Sequence, residues 1–184
     1  MSDLARTAIA RTLYEMLKET PFDEITVTSI IRACGISRST FYYHFKDMNN
    51  LLEWCMVTHF SKVLGKYKTY TTWPDGFLRI LKEIYAEKDI LLRVVDYVDR
   101  STLEKALYEP VYHLLYDVLT EKAEDYPVSE DKKKFIADFY KYGFVGLVIG
   151  WIERGFQETP EQLSDNLSHL MHGTFQNALE EFQK

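Results

Sequence analysis

Only two cysteines, Cys34 and Cys55, occur in 184 residues. Two thiols build neither a disulfide framework nor a zinc pattern, so both are expected as reduced core residues in a cytoplasmic protein. Proline is sparse as well. Of five, Pro21, Pro74, Pro127 and Pro160 fall between periodic segments and read as boundary marks. No alternating apolar–polar run, internal repeat or low-complexity tract is present, which argues against sheets, solenoids and disordered tails. Long apolar runs are missing too. FVGLVIGWI, residues 144–152, is flanked by charges and falls far short of the roughly 20 residues a membrane span needs. It reads as a buried helix, and no membrane partner is expected. Acidic and polar residues among the first few positions exclude a signal peptide.

One further absence is local. The chain is acidic overall, with a net charge of −6, which argues against an indiscriminate polyanion binder. Yet residues 25–46 contain no Asp or Glu, while they do contain Arg32, Arg38, His44 and Lys46. This window is a local positive patch.

What the chain does contain is apolar spacing at helical steps. Leu4, Ala8, Ile9, Leu13, Met16 and Leu17 make one face of a first helix, ended by Pro21-Phe22-Asp23. Thr26 then caps a short helix to about Ala33, with Ile30 and Ile31 inward. Gly35 stands where a helix C-terminus calls for a left-handed residue. Ser37 caps the next helix, with Phe41 and Phe45 on one face, and Asp47 caps a fourth carrying Leu51, Leu52, Val57 and Phe60. Further helices are expected over 76–87, 91–97, 103–123 (with Pro110 as a start or a kink) and 132–154, the last ended by Gly155. Thr159-Pro160-Glu161-Gln162 is a start signal. Leu163, Leu167, Leu170, Met171, Phe175, Ala178, Leu179 and Phe182 then follow as one final helix. The fold class is all-α.

Residues 26–45 have the form helix, tight glycine turn, helix, the pattern of a helix-turn-helix. Short αα-hairpins of this kind also occur without DNA; the acid-free window favours DNA. In the second helix Phe41 and Phe45 anchor inward. Arg38, Ser39, Thr40, Tyr42, Tyr43, His44 and Lys46 point outward. A major-groove reader needs this division, since apolar residues lock the helix while outward donors meet base edges and phosphates. Arg38, Ser39 and Thr40 lie nearest the helix N-terminus and are the base-reading candidates. Thr28, Tyr42, Tyr43, His44 and Lys46 are the phosphate candidates.

The run TPFDEITVTSIIRACGISRSTFYYHFKDMNNLL, residues 20–52, resembles the N-terminal domain of the TetR family of bacterial regulators. Gly35, Ile36, Ser37, Phe41, Tyr42, His44 and Phe45 fill that family's pattern. The resemblance implies a DNA-binding head over residues 1–46 and a regulatory, dimerising body over 47–184. It also implies a homodimer on a palindromic operator. One departure stands out: the family commonly has a lysine at the start of the fourth helix, where this chain has Met48. Residues 1–60 hold six basic against seven acidic side chains, so a shallow salt dependence of DNA binding is expected. The run FYKYGFVGLVIGWIERGFQETPEQL, residues 139–163, is similar to a narrower subset that includes activators of dihydroxyacetone-kinase operons. Some members of that subset act with a partner protein instead of a small ligand.

In the body, Gly143, Gly146 and Gly150 share one side of the long apolar helix. Each costs about 1 kcal/mol against Ala in a helix interior, which makes sense where another helix packs close. With the stripe of Leu163, Leu167, Leu170 and Phe175 they form the expected dimer interface. The tyrosine-rich middle, Trp73, Tyr85, Tyr97, Tyr108, Tyr112 and Tyr116, is the candidate pocket for a small-molecule effector. His169 and His172, with Asp165 a turn earlier, have chelating spacing but no third certain ligand. No metal, cofactor or catalytic residue is expected, and the chain is read as a regulator instead of an enzyme.

Overall fold

The computed structural model describes residues 2–64 and 73–183, whose regular structure is all helix, without strands. The head begins with α1 (Ser2–Leu17), followed by α2 (Val27–Cys34) and α3 (Arg38–His44). The linking helix α4 (Met48–Leu64) leads into the body. There follow α5 (Trp73–Ala86), α6 (Lys88–Val94), α7 (Arg100–Lys122), α8 (Glu130–Glu153), α9 (Pro160–Leu170) and α10 (Thr174–Gln183).

The first helix buries Ile9, Ala10, Leu13 and Leu17, whereas Leu4 and Ala8 are exposed. The expected face is therefore rotated and starts one turn later. Leu51 and Leu52 of α4 are buried against this layer. The side chain of Phe60 lies outside the described residues.

The two longest helices, α7 and α8, pack side by side along the body, and α4 and α5 close on α7. Pro110 lies inside α7 and neither starts nor ends it. By length and composition, α8 alone among the described helices is long and apolar enough to cross a membrane. Its apolar run is used otherwise: Phe144, Val145, Val148, Ile149, Trp151 and Ile152 are all buried in the body.

Helix α8 ends in a left-handed pair, Gly155 at φ 71° and Phe156 at φ 58°. The Phe156 N–H donates back to the Trp151 carbonyl at 3.0 Å. A left-handed phenylalanine is strained by about 1–2 kcal/mol. Its ring offsets that by packing 4.7 Å from Trp151 and 5.7 Å from Tyr85. Thr159 and Gln162 then form the expected reciprocal cap on α9. The expected single last helix is two. Gly173, at φ 74°, breaks the chain between α9 and α10 although the Leu/Phe stripe continues across it.

Candidate nucleic-acid interface

The helix-turn-helix is held by local bonds. Thr26 accepts from the Ser29 N–H at 3.1 Å while Ser29 Oγ accepts from the Thr26 N–H at 3.0 Å. Gly35 sits at φ 65°, ψ 31°, the left-handed cap that closes α2. The Ile36 N–H then returns to the Ile31 carbonyl at 3.2 Å, which swings the chain into α3. Ser37 Oγ accepts from the Thr40 N–H at 3.1 Å. At the far end Asp47 accepts from the Asn50 N–H at 2.8 Å, capping α4.

Phe41 and Phe45 are fully buried, with ring centroids 6.1 Å apart. The outward face carries Arg38 and Ser39, both exposed, with Tyr42 at 50% and Tyr43 at 78% exposure. Arg38 Nη2 donates to Thr28 Oγ1 at 3.3 Å, so the start of α3 and the first turn of α2 present one joint edge. Lys46 is exposed beyond the helix end, and His44 is half-buried with its ring edge-on to Tyr43. Thr40 is half-buried. Its hydroxyl lies 2.8 Å from Ser37 Oγ, and that of Ser39 lies 2.7 Å from the same atom. Of the three expected base readers, Arg38 is therefore the one whose polar end is turned away from the cap.

Arg6 joins this layer without any sign in the local sequence pattern. From α1 its guanidinium lies 4.7 Å from the Trp54 ring centroid and 5.4 Å from that of Phe45. No local motif marks this, because the three residues meet only in the folded head.

Head and body are joined by a second polar cluster. Tyr14 Oη on α1 donates to Glu87 Oε2, 2.6 Å away at the corner between α5 and α6. The Tyr14 ring stacks on His59 of α4 at 5.3 Å, and His59 Nε2 lies 3.7 Å from Glu87 Oε1. Burial, and then the Glu87 carboxylate, push the Tyr14 phenol above its ordinary value. The cavity beside this cluster holds about 30 Å³, room for a water but not for an effector.

The expected tyrosine pocket does not assemble. Trp73 lines a cavity of about 350 Å³ with Lys122, Met171, His172 and Phe175. Tyr85 stacks on Trp151, and Tyr97 packs against Phe22. Tyr108 and Tyr112 flank the Lys141 ammonium, 5.0 and 5.7 Å away. Tyr116 stacks on Tyr112 and donates to Glu130. Only Tyr108, Tyr112 and Tyr116 share a helix face, on α7, while Trp73, Tyr85 and Tyr97 stand on other elements with other neighbours.

The residues expected at the dimer surface fall into two groups. Leu163, Leu167 and Phe175 are buried in the protomer's own core. Leu170 is 72% exposed. On α8, Gly143 and Gly146 face open space, while a Cβ at Gly150 would meet the Arg154 guanidinium at 3.0 Å. Beside these glycines lie exposed Phe135, Phe139, Tyr142 and Leu147. His169 bonds the Asp165 carbonyl through Nδ1 at 2.8 Å, and among the described residues no group of three potential metal ligands converges.

Comparison with known proteins agrees with this architecture. Residues 9–55 match the model of the bacterial regulatory proteins, tetR family, and residues 71–173 match a TetR-type transcriptional regulator C-terminal region. The chain belongs to the TetR family of transcriptional regulators, which bind operator DNA as dimers. It is 25% identical over 172 residues to the dhaKLM operon transcriptional activator DhaS of Lactococcus lactis subsp. lactis, covering 92% of this chain and 90% of that one. It is 22% identical over 129 residues to the transcriptional regulator SAR2658 of Staphylococcus aureus, covering 65% and 69%. Among solved structures, the dihydroxyacetone kinase operon activator DhaS superposes with a TM-score of 0.65 at 21% identity, covering 98% of both chains. The repressor AlkX from Dietzia sp. gives a TM-score of 0.62 at 16% identity, covering 95% and 97%. At these identities the structures speak for the fold.

Proposed function

We propose that this regulator binds an inverted-repeat operator as a homodimer, with residues 1–46 as the reading head and residues 47–184 as the body that dimerises and receives the signal. The observation that carries this is the α3 face: Arg38, Tyr42 and Tyr43 are exposed in an acid-free window, on a helix fixed by two buried phenylalanines. In the duplex Arg38 donates to a base edge, with guanine offering the bidentate fit, and Ser39 reads beside it. Thr40 keeps the cap and lends its methyl to the groove. Thr28, Tyr42, Tyr43, His44 and Lys46 grip phosphates and so fix register.

Two copies pack through α8, where open glycines let a second helix approach and Phe135, Phe139 and Tyr142 supply apolar surface. Two-fold symmetry then spaces the recognition helices about 34–36 Å apart, one turn of DNA. The test is Phe139→Glu with Tyr142→Glu, read by sedimentation and DNA retardation. The variant should run as a monomer and lose the operator together with its partner. A monomeric variant with full operator affinity would sink the dimeric reading.

The body takes the regulatory signal, and the cavity at Trp73 is the place for a small effector. A second reading, a protein partner on the body, is favoured by the tyrosines that do not converge on a pocket. Release of DNA by metabolite pools freed of protein supports the first; release only by a protein fraction supports the second. As a regulator the chain works on DNA in the cytoplasm and needs no catalytic step.

A further inference from the structure

Among the described residues, Arg6 is a cation without an anion. The chain has 28 acidic and 22 basic side chains, yet among the described residues no carboxylate pairs with Arg6. Its Nε is enclosed by protein and has no hydrogen-bond acceptor. Two rings hold it instead. Phe45 is the residue at which α3 ends, and Trp54 stands on α4, the helix that follows. Their own centroids are 5.8 Å apart, so the guanidinium lies over an aromatic corner.

This arrangement holds the guanidinium in place. A ring attracts the cation through its π face and uses none of the guanidinium's N–H donors. The residue is half-buried, with Nε enclosed and without an acceptor. Phe45 and Trp54 hold the guanidinium at the junction of α3 and α4, and Lys46, next to Phe45 in the chain, is exposed. The N-terminal end of a docked recognition helix faces bases, and its flanks meet the backbone. A phosphate presents the two-oxygen edge that a guanidinium fork matches.

We propose that Arg6 is a phosphate-gripping residue of the DNA interface, held by Phe45 and Trp54. It supplies from α1 the positive charge that α4 lacks at Met48. Sequence-independent affinity in a head with more acids than bases then rests strongly on this side chain.

The test measures affinity against salt concentration for the full-length protein on a selected operator duplex and on a duplex of unrelated sequence. Arg6→Met keeps apolar packing on both rings and removes the charge; Arg6→Lys keeps the charge. Arg6→Met should lower the slope of log affinity against log salt by about 0.9, equally on both duplexes, and Arg6→Lys should retain the slope. Arg6→Gln, whose amide also stacks on rings, repeats the neutral arm if Arg6→Met melts early. A neutral variant that stays folded with the wild-type slope would overturn the assignment alone, even if its affinity fell. A wild type without salt-dependent binding to either duplex would overturn it together with the docking of the head on DNA.

Discussion

Tyr14 and Glu87 lie 73 residues apart in sequence and 2.6 Å apart in space, and their hydrogen bond ties the first helix of the head to a corner of the body. A hydroxyl donating to a carboxylate is stronger than a neutral pair. Its position matters more than its strength. It links the α5–α6 corner to α1, and α1 packs on α2, which holds α3.

Tyr14→Phe removes the donor and keeps the ring on His59. Because the carboxylate is partly open to water, the loss should be about 1 kcal/mol in urea unfolding. The more telling readout is operator affinity. If the bond positions the head, affinity changes by more than the stability loss accounts for in a fully folded sample. Equal operator binding by both proteins would show that the bond only braces the fold.

Gly35 occupies φ 65° with open space around its missing Cβ. Gly35→Ala therefore meets no clash, only backbone strain of about 1–2 kcal/mol. Denaturant unfolding should show a loss of that size, with DNA binding weakened as α3 loosens. A neutral effect on both would mean that the turn relaxes away from the left-handed region at no cost.

Arg38 and Tyr42 separate base reading from phosphate gripping. Arg38→Ala should cost about 1–3 kcal/mol at one base position and flatten preference there. Tyr42→Phe should weaken every sequence alike. A panel of operators with single substitutions distinguishes the two, and uniform loss for Arg38→Ala would remove it from the base readers.

Cys55 is half-buried on α4, and removal from solvent pushes its thiol up to about 12 from the ordinary 9.0. The folded value lies above the unfolded one. Its contribution to stability is therefore complete below pH 9 and is lost as pH rises toward 12. Near pH 9 iodoacetamide should leave Cys55 unmodified in the native protein and label it in urea, as read by mass spectrometry. Rapid native labelling would show that the head–body seam opens.

These tests rest partly on features legible in the sequence. Thr26, Gly35, Ser37, Asp47 and Thr159 were readable as caps because a cap is a contract between near neighbours. The inward pair Phe41 and Phe45 was readable for the same reason: a four-residue step fixes a shared face. What a face meets is a different matter. Leu163 and Leu167 form a stripe whether its partner is a second chain or, as here, the protomer's own core. Tyr108, Tyr112 and Tyr116 align on α7, but the neighbour that fills the space between rings is Lys141. The break at Gly173 hides because the leucine and phenylalanine steps run on through it. Arg6 carries no local mark at all, since its two rings come from other helices.

The most direct test of the account is selection of binding sites from random duplex DNA by the purified protein, with the Arg38→Ala, Tyr42→Phe double variant alongside. The account predicts an enriched inverted repeat, with half-sites about one helical turn apart, that is lost in the variant. No enrichment by the wild type at low salt, or the same repeat enriched by the variant, would contradict it.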